Sequence, residues 1–180
     1  MPNYIRVRDK GITLFFTVVT YQRRPLFEDE NARNCLKEVL QITRNKYPFT
    51  QHAICLLPDH LHCIWTLPEN DDDYSTRWSS IKANFSRLYK TGQDGSPLSA
   101  SRKKRREKAF WQRRFWEHAI RDEEDLSRHV DYIHYNPVKH GLADSPSEWR
   151  WSSFHSYVER GIYEPDWNPY LHEDQREYGE

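Results

Sequence analysis

The chain of 180 residues is poor in cysteine, with only Cys35, Cys55 and Cys63. They form no CxxC pair and no even set, which argues against a disulfide framework and against a cysteine-based zinc site. Net charge is also missing. Lys and Arg number 27, and so do Asp and Glu, which excludes a uniformly basic DNA-coating protein but not a local basic patch. There is no apolar run long enough to cross a bilayer, and no membrane partner is expected. Met1-Pro2-Asn3-Tyr4-Ile5-Arg6 has no apolar h-region, so no signal peptide and a cytoplasmic location are expected. There is no GxxxxGK[ST] loop to cradle a nucleotide, and no internal repeat.

Large rings are abundant. Aromatic residues make up 14% of the chain and include seven Trp, despite a mean hydropathy of −1.00. That composition predicts a folded single domain with a substantial core. Residues 12–20 are rich in β-branched and aromatic side chains and read as a buried strand. Cys35, Leu36, Val39, Leu40 and Ile42 form a helical stripe over 29–45, stopped by Tyr47-Pro48. Residues 50–57 and 60–67 read as two strands of a hairpin about Pro58-Asp59. A second amphipathic helix is predicted over 75–90 and a fourth strand over 110–121. A third helix is predicted over 122–139, with acids at its start, Lys139 and His140 at its end, and Gly141 as the stop. Strand, helix, strand, strand, helix, strand is the order of a ferredoxin-like split βαβ sandwich, α+β in class, with an antiparallel sheet and helices on one face. The third helix and a C-terminal tail are additions to it. Residues 1–160 are expected to form the domain, and 161–180 an acidic tail.

His60-Leu61-His62 carries the first chemical signal. Alternate residues of a strand point the same way, so the two imidazoles would stand side by side, about 6–7 Å apart at their Cα atoms. Two such rings can converge on one divalent cation, although an HxH pair can also simply pack on a strand. On the third helix, Leu126, Val130 and Ile133 define the apolar stripe. Tyr132 and Asn136, four residues apart, share a flank outside it, with His129 nearby. Alone, these would read as a surface Tyr–Asn pair.

Taken together, the motifs resemble a family. Leu57-Pro58-Asp59-His60-Leu61-His62 precedes Tyr132-Ile133-His134-Tyr135-Asn136-Pro137-Val138-Lys139-His140-Gly141-Leu142, and the pair resembles the REP-associated tyrosine transposases, single-tyrosine relatives of the HUH nucleases. Phe110-Trp111-Gln112-Arg113-Arg114-Phe115-Trp116-Glu117-His118 and Glu148-Trp149-Arg150-Trp151-Ser152-Ser153 are similar to that group as well, so the resemblance spans roughly residues 10–158. It implies His60, His62 and Asn136 as ligands of Mg²⁺ or Mn²⁺ and Tyr132 as the nucleophile that forms a 5′-phosphotyrosine. Many insertion-sequence members have Gln where this chain has Asn136. Tyr135 is turned away from the histidine-facing flank and is expected to have a structural or DNA-stacking role. A water on the cation, or His129, would serve as base. The implied substrate is single-stranded or hairpin DNA of the REP palindrome type, and the implied protein is a monomer, with a helix-exchanged dimer as the alternative. Two other functions fit the same residues: a DNA-binding protein without strand transfer, and a hydrolase that uses water instead of Tyr132.

Local charge supplies a surface for DNA. Arg102, Lys103, Lys104, Arg105, Arg106, Lys108, Arg113 and Arg114 stand against Glu107 alone, a net of +7. Trp111 lies among them, and positive charge interleaved with aromatic faces suits unpaired nucleic acid. From Glu164 to Glu180, six acids oppose Arg176, a net of −5. This tail is expected either to solubilise the chain or to compete with DNA for the basic run, unless Trp167 and Tyr170 anchor it elsewhere.

Overall fold

The computed structural model describes residues 9–89 and 110–168. Strands β1 (Thr13–Val19), β2 (Thr50–Leu56), β3 (His60–Thr66) and β4 (Trp116–Ala119) form an antiparallel sheet in the order β2-β3-β1-β4. Helix α1 (Glu30–Lys46) joins β1 to β2, and α2 (Tyr74–Leu88) lies between β3 and β4. Helix α3 (Glu123–Lys139) follows β4, and a short α4 (Phe154–Glu159) follows it. The order and pairing are those of the split βαβ sandwich read from the sequence.

Each of the three long helices starts on an aspartate. Asp29, Asp73 and Asp122 accept hydrogen bonds from the backbone N–H of Asn31, Thr76 and Asp125, which satisfies donors that the first turn leaves open. Helix α3 ends at Gly141, whose φ is +64°. Leu142 N–H donates to Pro137 C=O and Gly141 N–H to Val138 C=O, the paired bonds of a Schellman stop. No atom lies within 4 Å of where a Cβ at Gly141 would sit, so Gly141→Ala meets only backbone strain. We expect a loss of about 1–2 kcal/mol, read as a lower urea midpoint at unchanged slope.

Alternation in the strands divides the core. Leu14, Phe16, Val18, Leu61, Cys63 and Trp65 face α1 and α2, where Phe49, Trp65 and Trp78 stack at centroid spacings of 4.1 and 4.4 Å. Phe15, Ala53, Cys55 and Ile64 face the other way and are covered by Val130 and Ile133 of α3. The added helix therefore seals the face that the two ferredoxin-like helices leave open.

The fourth strand is shorter than the sequence suggests. Thr20 forms an isolated bridge with Trp111, and the regular ladder spans only Trp116–Ala119. Phe110 and Trp111 turn inward instead, against Phe27, Phe85 and Tyr89. Trp111 is 4% exposed, and this corrects its reading as a DNA-stacking side chain. An apolar ring at the junction of α2 and β1 gains more from the core than from water. Arg113 and Arg114 are exposed, whereas Arg102, Lys103, Lys104, Arg105, Arg106 and Lys108 lie outside the described residues. In the C-terminal segment Trp167 stacks on Tyr163 at 4.2 Å and contacts Phe154, so the chain is anchored to the domain as far as that ring. Tyr170 and the rest of the acidic tail lie outside the described residues.

Candidate active site on the α3 face of the sheet

Helix α3 brings its polar flank over β3. His60 and His62 both project to the α3 side, while Leu61 between them enters the opposite core. Their rings are 4.9 Å apart at the centroids and nearly perpendicular, at 84°. The Tyr132 ring lies 5.3 Å from that of His62, and His140 lies 5.3 Å from His60. Tyr132, Asn136 and His140 succeed one another at one-turn intervals along one side of α3. Asn136, between them on that side, is completely buried. The sheet and the helix thus bring His60, His62 and Tyr132 together, with Asn136 buried one turn along the same side of α3.

The surroundings fix both imidazoles. His60 Nδ1 is 2.6 Å from Asp59 Oδ1, and Asp59 is in turn held by Arg23 at 3.1 Å. Burial pushes the Asp59 carboxyl pKa up, but the hydrogen bonds of His60 and Arg23 and the charge of Arg23 outweigh it and hold the group below its ordinary value. A carboxylate at Nδ1 makes that nitrogen the N–H donor and leaves the Nε2 lone pair available, the usual orientation of a metal-binding histidine. His60 Nε2 is buried and takes part in no hydrogen bond. His62 Nδ1 pairs with Thr17 Oγ1 at 2.9 Å across the β1–β3 ladder. His62 Nε2 and Asn136 Oδ1 are buried as well.

Tyr132 is half-buried. Its Oη accepts a 3.3 Å hydrogen bond from Lys139 Nζ, which also stands 4.9 Å over its ring. Phe15 packs against His62, Tyr132 and His129, with centroids 5.5, 6.1 and 5.0 Å away, and sets their spacing from below.

A second polar group lies one turn further back on α3. His118, Asp125 and His129 each offer a ligand-type atom, all within 4.8 Å of one another. Two features make this group a structural hub. Asp125 Oδ2 already accepts from His118 Nε2, Arg121 N and Arg121 Nε. The His118 and His129 rings are stacked 13° from parallel at 4.7 Å, so their in-plane lone pairs do not converge. His129 Nδ1 pairs with the Asp125 carbonyl oxygen at 2.7 Å, and burial lowers its pKa, keeping the ring neutral.

Burial would raise the Asp125 pKa, but hydrogen bonds from His118 and Arg121 reverse this and leave it far below its ordinary 3.8. A depressed carboxylate contributes stability in full above its unfolded value and loses it as pH falls through the folded one. Asp125→Asn should therefore destabilise the protein at pH 7 by about 1–3 kcal/mol. It should also flatten the loss of stability that the parent shows on acidification below about pH 4. Thermal melts between pH 2 and 7 read both.

On its far side α3 is tied down by His134, whose Nε2 pairs with Ser153 Oγ at 2.8 Å. Burial pushes the His134 pKa down to about 3, so this tie is neutral. Tyr163 Oη donates to Asp131, the residue before Tyr132. Sequence reading did not assign roles to Asp59, Thr17 or Lys139. Asp59 had a signal, since it directly precedes an HxH pair. Thr17 had none, because its link to His62 depends on the β1–β3 register.

Known proteins resemble this chain along nearly all of its length. The family described as Transposase IS200 like matches residues 10–136. A relative named a REP-associated tyrosine transposase, from Haemophilus influenzae, is 44% identical over 173 residues, 95% of this chain and 97% of that one. Another of that name, from Escherichia coli, is 42% identical over 167 residues, 93% of this chain and 91% of its own. A solved structure of a REP-associated tyrosine transposase bound to a REP hairpin has a TM-score of 0.80 at 40% identity, covering 100% of this chain and 98% of that one. With its HxH strand, its tyrosine helix and these relatives along nearly its full length, the chain belongs to the IS200-like transposase family, in the REP-associated tyrosine transposase group.

Proposed function

We propose that this chain nicks and rejoins single-stranded or hairpin DNA of the REP palindrome type, with Tyr132 as nucleophile and a divalent cation held by His60, His62 and Asn136. The observation that carries the reading is the buried, hydrogen-bond-free Nε2 of His60, fixed by Asp59 from behind and set beside His62 under the tyrosine helix. Two imidazole nitrogens and an amide oxygen suit Mn²⁺, and Mg²⁺ when water completes the shell. A bound cation would neutralise a non-bridging phosphate oxygen and stabilise charge building in the transition state.

The chain's own groups do the rest. Tyr132 Oη gives up its proton and attacks phosphorus, the bond to the 3′ oxygen breaks and that oxygen takes up a proton, leaving the 5′ phosphate on the tyrosine and a free 3′-OH on the other fragment of the same strand. The phosphodiester energy is kept in that covalent bond, so rejoining needs no nucleotide cofactor. Lys139 Nζ, already at the Tyr132 oxygen, places a positive charge where the phosphate must arrive. Arg113 and Arg114 lie in the described part of the basic run and would meet the DNA backbone with Arg102, Lys103, Lys104, Arg105, Arg106 and Lys108. The chain would act as a monomer in the cytoplasm.

Incubation with labelled REP-type hairpins and Mn²⁺, followed by a denaturing gel, tests the proposal. A protein–DNA adduct is expected. Cleavage without an adduct would replace the tyrosine by water, and binding without cleavage would leave a DNA-binding protein.

A further inference from the structure

On the opposite face of the sheet a groove of about 580 Å³ runs between α1 and the segment 150–153. Leu36, Leu40, Ile54 and Leu56 make its floor. Four basic side chains, Arg33, Lys37, Arg44 and Arg150, line it against a single acid, Glu30. Its wall is built rather than loose. Leu56 N–H donates to Trp151 C=O and Ser153 N–H to Ile54 C=O, so residues 151–153 add to the outer edge of β2. Trp149 Nε1 donates to Leu56 C=O, and the Trp149 and Trp151 rings meet edge to face at 5.2 Å. The guanidinium of Arg33 lies 4.3 Å over Trp151, held there by hydrogen bonds from its Nη1 to the carbonyls of Phe27 and Glu28. Arg150 approaches the same ring at 5.8 Å.

We infer that this groove binds the unpaired nucleotides flanking the hairpin, as a single-strand site separate from the centre at His60 and His62. An apolar floor and an ordered Arg–Trp stack offer planar surfaces to base faces, which only an unpaired strand can present. The four cations along the rims match its phosphates. Position supports the assignment. Leu56 at the groove's end pairs with Leu61, the residue between the two histidines. A strand lying in the groove and leaving past Leu56 is therefore directed around the β2–β3 turn towards the proposed nicking site. The inference rests on the DNA-processing reading above and adds to it where the substrate's single-stranded arm lies.

The test uses the full chain and the exposed pair Lys37 and Arg150. Lys37→Glu/Arg150→Glu and the milder Lys37→Gln/Arg150→Gln are compared with the parent by fluorescence anisotropy on a labelled 20-nucleotide single strand and on a blunt duplex, with melting temperatures confirming folding. For the single strand, the charge-reversed variant should bind about tenfold or more weakly. The slope of log K against log[salt] should fall by about 1.4, which is about 0.7 for each phosphate that is no longer neutralised. Duplex binding should change little. Unchanged single-strand affinity and slope would overturn the inference. So would an equal weakening on the duplex, which would mark the groove as general electrostatics, and so would undiminished single-strand binding alongside abolished binding of an acidic peptide. Adduct formation at Tyr132, measured on the same samples, reports separately on the nicking reading. A parent that binds single strand through Lys37 and Arg150 but forms no adduct keeps the groove and loses the chemistry.

Discussion

Tyr132→Phe should abolish covalent capture of DNA and leave DNA binding within about twofold of the parent, since the substitution removes one oxygen and keeps the ring. The ring's contacts with His62 and Phe15 are made by carbon atoms and survive the change. What disappears is the only atom at that position able to bond phosphorus, together with the Lys139 hydrogen bond. The adduct band should fall below detection, a decrease of at least about 10³-fold for loss of a nucleophile. Tyr135→Phe is the control and should retain the adduct. If Tyr135→Phe alone removes it, the nucleophile has been assigned to the wrong residue of the pair, and the contact between Tyr132 and His62 is only structural.

The second large effect concerns the cation. His62→Ala should remove Mn²⁺ binding as measured by calorimetry, because one of the three proposed ligands is removed and an amide oxygen is a weak donor on its own. Asp59→Ala is the more informative variant. Asp59 would not touch the cation, but it fixes which nitrogen of His60 carries the proton and the direction in which the ring points. Loss of such an outer partner weakens metal binding by about 10–100-fold. Asp59→Asn keeps a carbonyl acceptor for Nδ1 and should restore much of the affinity. Equal affinities for parent and Asp59→Ala would show that the strand alone orients His60, and would separate the Asp59–Arg23 pair from the site.

Both expectations draw on features that were legible in the sequence to different degrees. The sheet order was legible because its signals are local: alternation within 12–20 and 60–67, a turn at Pro58-Asp59, and 3.6-residue periodicity in the helices. Strand and helix periodicities set His60 beside His62 and Tyr132 in line with Asn136, but only the resemblance of the surrounding motifs to a known family joined the two pairs into one expected site. The interiors of the linking segments were not legible. Phe110 and Trp111 follow a run of cations and look like a stacking platform, yet they fill a space between α2 and β1 that exists only once those elements have packed. The same holds for the groove wall. Trp151 and Ser153 read as a family motif, and nothing local says that they extend the edge of β2. The His118–Asp125–His129 hub joins β4 to the first turns of α3, and only the placement of β4 beside β1 creates it.

Strand β3 is hydrogen-bonded on both sides, to β1 and to β2. Its amides can reach solvent only when the sheet comes apart, so their hydrogen exchange should proceed at the rate set by global unfolding. Helix α3 is held instead by the side-chain packing of Val130 and Ile133 on the sheet and by ties at His118, His134 and Tyr163. The two halves of the proposed site are therefore secured by different forces: the histidine pair by backbone ladders on both sides, and the tyrosine by side-chain packing.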